Sequence, residues 1–130
     1  MISHVTIAVS DFERALAFYG DVLEVLGLTR SYYDADIEAA SFRDPKQPRP
    51  LLHLRRPFDG KDAVPGNGPM VAFLCPDRDT VQKAYDRALK KGAEIEGKPG
   101  LRDQYHDDYF GAYVRDTEGN KICFVCHDPD

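Results

Sequence analysis

The side chains able to do chemistry fall into four main groups. His4 lies in an alternating segment in which His4, Thr6 and Ala8 share one face and Val5, Ile7 and Val9 the other. His53 stands between Leu52 and Leu54 and shares its face with Arg55, whose guanidinium suits an anionic substrate group or serves as an ordinary edge-strand arginine. Near the C-terminus, Cys123, Val125 and His127 share a face opposite Ile122, Phe124 and Cys126. Imidazole and thiolate are both side-chain groups able to ligate zinc. Tyr105-His106-Asp107-Asp108-Tyr109 is a polar, aromatic-rich loop. There His106 is a candidate general acid/base near neutral pH, or part of a solvated turn held by aspartates. Tyr105 and Tyr109 are candidate binding groups beside it, as are Tyr32, Tyr33 and Arg55 in the first half of the chain.

Cys123-Phe124-Val125-Cys126-His127 matches the C-x-x-C-H haem-attachment pattern. The match is rejected. A core strand puts its two cysteines on opposite faces, and haem attachment requires export. Met1 leads straight into Ile2-Ser3-His4-Val5 with no basic region and no apolar run, which predicts no secretory signal. Three cysteines without a leader read as reduced thiols in a cytoplasmic protein, with Cys75 and Cys126 buried and inert.

These residues must be positioned by an internal repeat. Ser-His-Val-Thr-Ile-Ala-Val-Ser-Asp at 3–11 is answered by Pro-Met-Val-Ala-Phe-Leu-Cys-Pro-Asp at 69–77. Each is a strand ending in a helix N-cap aspartate, Asp11 or Asp77. Apolar residues at helical spacing then predict helices over 11–25 and 78–91. Gly27 and Gly92 close them, 16 and 15 residues after the caps. Three short strands follow in each copy, at 28–34, 39–43 and 51–55, then at 93–96, 111–115 and 121–126. Asp116-Thr117-Glu118-Gly119 makes the last turn. The proline-rich 44–50 is a loop or sheet edge, and the basic 87–91 run is a solvated helix face near a C-terminus. Modules at about 1–57 and 69–130, linked by 58–68, predict one α+β domain, because neither copy alone buries much core.

The chain has 130 residues and a net charge of -5, which argues against nucleic acid or an anionic membrane as partner and fits a small-molecule ligand. No apolar run approaches the roughly 20 residues of a membrane span.

The βαβββ order, twice over, resembles the glyoxalase/bleomycin-resistance/extradiol-dioxygenase (vicinal oxygen chelate) superfamily, and within it a subgroup of small bacterial single-domain members. The residues that carry the resemblance are His4–Asp11, Ala17-Phe18-Tyr19, Gly66-Asn67-Gly68-Pro69-Met70-Val71-Ala72-Phe73, 105–112, and Asp116-Thr117-Glu118-Gly119-Asn120-Lys121-Ile122. The resemblance implies two tandem modules forming a curled mixed sheet around a cleft. It also implies a divalent metal on His and Glu ligands with open coordination sites, supporting lyase, isomerase or dioxygenase chemistry, and homodimers. His4 falls on the family's first histidine position. Met70 stands where a second histidine is usual, Cys123 where the glutamate is usual, and His53 is the repeat mate of Cys123. Thioether and thiol are poor donors for Mg²⁺, Mn²⁺ or Fe²⁺.

Three readings therefore stand. One is a small-molecule-binding protein whose triad is degenerate and which needs no metal cofactor. Another is a metal-dependent enzyme with an altered His4, His53, Cys123 site, zinc being the metal it suits. The last is a non-catalytic binding module in which these positions are structural. A His-Met-Cys set also brings copper to mind, but a copper site needs more imidazole than this.

Overall fold

A computed structural model describes residues 1–130. The first module is β1 (His4–Ala8), α1 (Phe12–Val25), β2 (Thr29–Asp34), β3 (Ala39–Arg43) and β4 (Leu51–Arg55). The second is β5 (Val71–Leu74), α2 (Arg78–Lys90), β6 (Glu94–Leu101), β7 (Phe110–Arg115) and β8 (Lys121–Cys126). The predicted α+β repeat is present, and most element ends fall within a residue or two of the sequence reading. Strand β6 is the exception. It runs on to Leu101 through two register shifts where the alternation suggested an end at 96.

The helix ends follow local chemistry. The carboxylate of Asp11 accepts the Arg14 N–H at 3.2 Å, and that of Asp77 accepts the Thr80 N–H at 2.7 Å. Gly27 and Gly92 follow the helices at φ +74° and +106°, a conformation that a Cβ penalises.

Each module makes its own four-stranded mixed sheet, in the orders β1-β4-β3-β2 and β5-β8-β7-β6. No ladder joins the two: the curled mixed sheet expected from the resemblance is built as two four-stranded sheets, one from each module. Strand β4 lies between β1 and β3, which corrects the edge-strand reading of Arg55. The parallel register proves the repeat: Thr6 stands beside His53 in the first sheet, and Ala72 beside Cys123 in the second. One face of each sheet is covered by its helix. Ile7, Val9, Leu52 and Leu54 from the first module and Phe73, Val114, Ile122 and Phe124 from the second join the buried faces of α1 and α2, which touch each other, in one core. The opposite faces, which carry His4, His53, Met70 and Cys123, have no helix over them. No helix is long and apolar enough to cross a membrane.

The modules are clasped through the β7–β8 turn. Asp116 is buried, and its Oδ1 accepts the N–H groups of Glu118 and Asn120. Its Oδ2 accepts the hydroxyl of buried Tyr19 from α1 at 2.5 Å. Glu118 reaches the other way and accepts the Ser10 and Asp11 N–H groups at 2.8 and 2.9 Å, while the Asn120 amide donates to the Ala8 carbonyl at 3.2 Å.

Removing the Asp116 carboxylate leaves several buried donors without an acceptor, so Asp116→Ala should cost about 3 kcal/mol and Tyr19→Phe about 1 kcal/mol in urea unfolding. A cost for Asp116→Ala no greater than for exposed Asp128→Ala would refute the clasp. Burial, and then the Asp116 charge, hold the Tyr19 hydroxyl well above its ordinary 10.0. Burial also pushes the Cys75 thiol from 9.0 up to about 12. Both groups ionise more readily unfolded than folded. Their contribution is whole below about pH 9 and lost as pH rises beyond it, so stability should fall on the alkaline side. Tyr19→Phe should remove the part that begins near pH 10.

Candidate functional site

On the open face of the first sheet, the imidazoles of His4 (β1) and His53 (β4) meet edge to face with centroids 4.8 Å apart. Ser41 on β3 stands directly across from His53 and is buried, and its hydroxyl bonds His53 Nδ1. His4 Nδ1 bonds the Ser3 hydroxyl at 2.9 Å. In both rings this leaves Nε2 as the nitrogen without a protein partner. Beside them is an open recess of about 430 Å³ lined by Ser31, Tyr32, Ser41, Arg43, Pro48, Leu51 and His53. Tyr32, one of the candidate binding groups, is thus part of the wall of this recess. Arg55 instead donates to the Arg56 carbonyl and sits 5.9 Å from the Phe58 ring centroid, and Tyr33 stacks on Phe12. Burial first, then the neighbouring His4 and Arg55, lower the pKa of His53 below the ordinary 6.5.

On the second sheet, Cys123 faces away from α2 yet is fully buried. Tyr109 and Tyr113 lie over it. Their hydroxyls are 2.8 Å apart, and that of Tyr109 is 3.8 Å from Cys123 Sγ. Burial raises the pKa of the Cys123 thiol, so it is held as SH rather than as the thiolate a metal takes. Cys75 and Cys126 are free and buried, as expected of inert thiols.

The 105–109 loop brings His106 against His127, with Nε2 of the first 2.8 Å from Nδ1 of the second and both rings on the edge of Tyr109. The Asp108 N–H donates to His106 Nδ1. That nitrogen is therefore bare, the proton sits on Nε2, and His106 donates to His127. Tyr105 packs on Tyr109 at 4.8 Å and is otherwise exposed.

The three proposed ligands are not gathered within the chain. His4 and His53 belong to the first sheet and Cys123 to the second, and nowhere do three His, Cys, Asp or Glu side chains stand together as a metal site. The donors do not fit the divalent metal of the family: two imidazoles have no third ligand, Met70 offers a thioether, and the Cys123 thiol is sealed beneath two phenols. Sequence reasoning missed Ser41, Tyr113, Arg102 and the pairing of His127. Ser41 and Tyr113 were within reach of it, since pairing the predicted strands puts each opposite His53 or Cys123. Arg102 was not, because β6 outruns the pattern that predicted it.

Residues 1–124 match the Glyoxalase/Bleomycin resistance protein/Dioxygenase superfamily, and the chain belongs to that superfamily. Among solved structures it is similar to a glyoxalase/bleomycin resistance protein from Albidiferax ferrireducens T118, at 28% identity and TM-score 0.86 over 97% of this chain and 98% of that one. A possible glyoxalase from Bacillus cereus is 25% identical with TM-score 0.67, covering 97% and 98% of the two chains. A lactoylglutathione lyase from Agrobacterium tumefaciens shares the fold at 19% identity and TM-score 0.66, over 97% and 92%. No functionally curated protein matches the chain.

The depressed His53 pKa gives a direct check. By NMR titration His53 should protonate below pH 6.5, and His4→Gln should raise its midpoint by removing a neighbouring positive charge. The unfolded chain takes that proton first as pH falls, so His53 also lowers stability from about pH 6.5 downward. A midpoint at 6.5 in both proteins would contradict this geometry.

Proposed function

We propose that the chain is a glyoxalase/bleomycin-resistance/dioxygenase-type protein that binds a small molecule over its open sheet faces without the His/His/Glu metal triad. The observation that carries this reading is the split of the four repeat-equivalent positions. His4 and His53 pair on one sheet, while Met70 and a buried Cys123 occupy the other. The recess beside His53, with hydroxyl, imidazole and guanidinium groups on its wall, has a size suited to a small ligand. The three buried free thiols favour a cytoplasmic setting.

The protein is further proposed to act as a homodimer. Met70 is 41% exposed and Leu74 72% exposed on a face that no helix covers, and a second copy is the simplest cover for apolar side chains on a bare sheet. A second reading, a zinc-dependent lyase, isomerase or dioxygenase using His4, His53 and Cys123, is favoured by the closeness of the two imidazoles alone.

Metal analysis after dialysis against zinc separates the two. The metal-free reading expects no stoichiometric zinc, and expects Met70→His with Cys123→Glu to create binding of Mn²⁺ or Ni²⁺. Stoichiometric zinc that is lost in both His4→Ala and Cys123→Ser would overturn it in favour of the second reading. A ligand at a hundred times its Kd should raise Tm by roughly 10 °C in a thermal-shift screen. Light scattering should give twice the mass of the chain; a monomer at all concentrations would refute the dimer.

A further inference from the structure

Strands β6 and β7 carry three glycines whose missing side chains leave room for a cationic group and two phenols. A Cβ on Gly97 would stand 3.2 Å from Arg102 Nη2 and 3.0 Å from Tyr113 Cδ2, and one on Gly100 would stand 3.2 Å from Arg102 Nη1. The guanidinium therefore lies along the strand between the two glycines. Its Nη2 donates to the Lys98 carbonyl at 2.7 Å. A Cβ on Gly111 would come within 2.8 Å of Tyr109 Cε1. The hollowed face thus holds Arg102, Tyr113 and Tyr109 in place.

Two cations flank Tyr113. Arg102 Cζ and Lys121 Nζ are each 5.4 Å from its ring centroid. Neither forms an ion pair, although the chain as a whole carries a net charge of -5. Of the two acidic residues on β6, Glu94 and Glu96, the second is bound to Arg115 at 2.6 Å. Positive charge thus stands beside one phenol without a carboxylate paired to it. The Tyr109–Tyr113 hydroxyl pair contains one shared proton. When Tyr109 donates to Tyr113, the Tyr113 proton is left for a ligand oxygen. Exposed Tyr105, packed on Tyr109 with ring centroids 4.8 Å apart, offers an aromatic surface for the rest of such a ligand.

We propose that the open face of the second sheet is a binding subsite for a small organic carboxylate with an apolar body, held by Arg102 and Lys121 and hydrogen-bonded by the Tyr113 hydroxyl. The inference deepens the small-molecule reading above by naming the ligand class. It rests on second-sheet residues alone, so the metal analysis can fail while it stands, and the reverse.

The test is an amide NMR titration of the full chain with benzoate, with neutral benzamide as the matched control. Benzoate should shift the Gly97, Gly100 and Gly111 amides saturably, and benzamide should not. Lys121→Gln and Arg102→Gln should each weaken benzoate about tenfold, as the loss of a charge-assisted contact does, and added salt should weaken it further. Arg102 bonds the Lys98 carbonyl whereas the Lys121 side chain makes no hydrogen bond, so the Lys121 variant keeps the test valid if Arg102→Gln disturbs the fold. Equal shifts with benzamide, benzoate affinity unchanged in Lys121→Gln, or shifts confined to the first sheet would each overturn the assignment. The last of these would leave small-molecule binding itself intact.

Discussion

Asp116 has both carboxylate oxygens committed beneath the surface, one to the backbone of its own turn and one to the Tyr19 hydroxyl of the other module. The turn is thereby rigid. Because it is rigid, Glu118 and Asn120 can reach across to Ser10, Asp11 and the Ala8 carbonyl. These contacts fix where β1 ends and α1 begins. No ladder hydrogen bond connects the two sheets. Their relative placement depends on this polar clasp together with the packing of α1 on α2, where Arg87 also donates to the Asp21 carbonyl. A buried carboxylate is tolerable only when its lone pairs are satisfied, and here satisfying them is what joins the halves.

The clasp uses one end of the domain and leaves the other faces open. Each sheet hides one face against its helix and exposes the other, a division that follows from strand alternation. On the exposed faces the repeats have diverged at equivalent positions. Ser41 and His53 stand paired on β3 and β4, while Tyr113 and Cys123 stand paired on β7 and β8. The first pair keeps an accessible imidazole beside a recess. The second replaces a small hydroxyl by a phenol large enough to bury its neighbour. One backbone plan thus yields one site suited to proton exchange and another suited to a fixed hydrophobic and cationic surface.

The repeat, the caps and the facing of residues in the strands other than β6 were legible in the sequence because they depend on local periodicity and on residues a few positions apart. Asp11, Asp77, Gly27 and Gly92 each act within one turn of chain, and each does what its type suggests. The parity that put His4, His53 and Cys123 on open faces was equally local. Parity cannot say which sheet a face belongs to, and so it could not show that His4 and Cys123 are separated. Nor could it show that Cys123 is buried, since that depends on Tyr109 folding back across Gly111 from a loop fourteen residues earlier. The His106–His127 pair is hidden for the same reason: its members meet only because β7 and β8 run antiparallel.

Strand β6 shows how such a failure arises. Gly97, Pro99 and Gly100 read as an end to regular structure, yet the strand continues with its register shifted twice. Glycine in a strand interior removes packing, and a strand tolerates it where another group takes up the space. Here the group is Arg102, which lies on the bare backbone and braces Tyr113. The residues that look like a loop signal are thus the ones that let a cation settle on the sheet, a long-range compensation that propensity alone does not reveal. A metal ion and an arginine–lysine pair both supply positive charge for a ligand oxygen. The second needs no histidine or glutamate ligands, and is therefore open to a chain with Met70 and Cys123 at two of its repeat-equivalent positions.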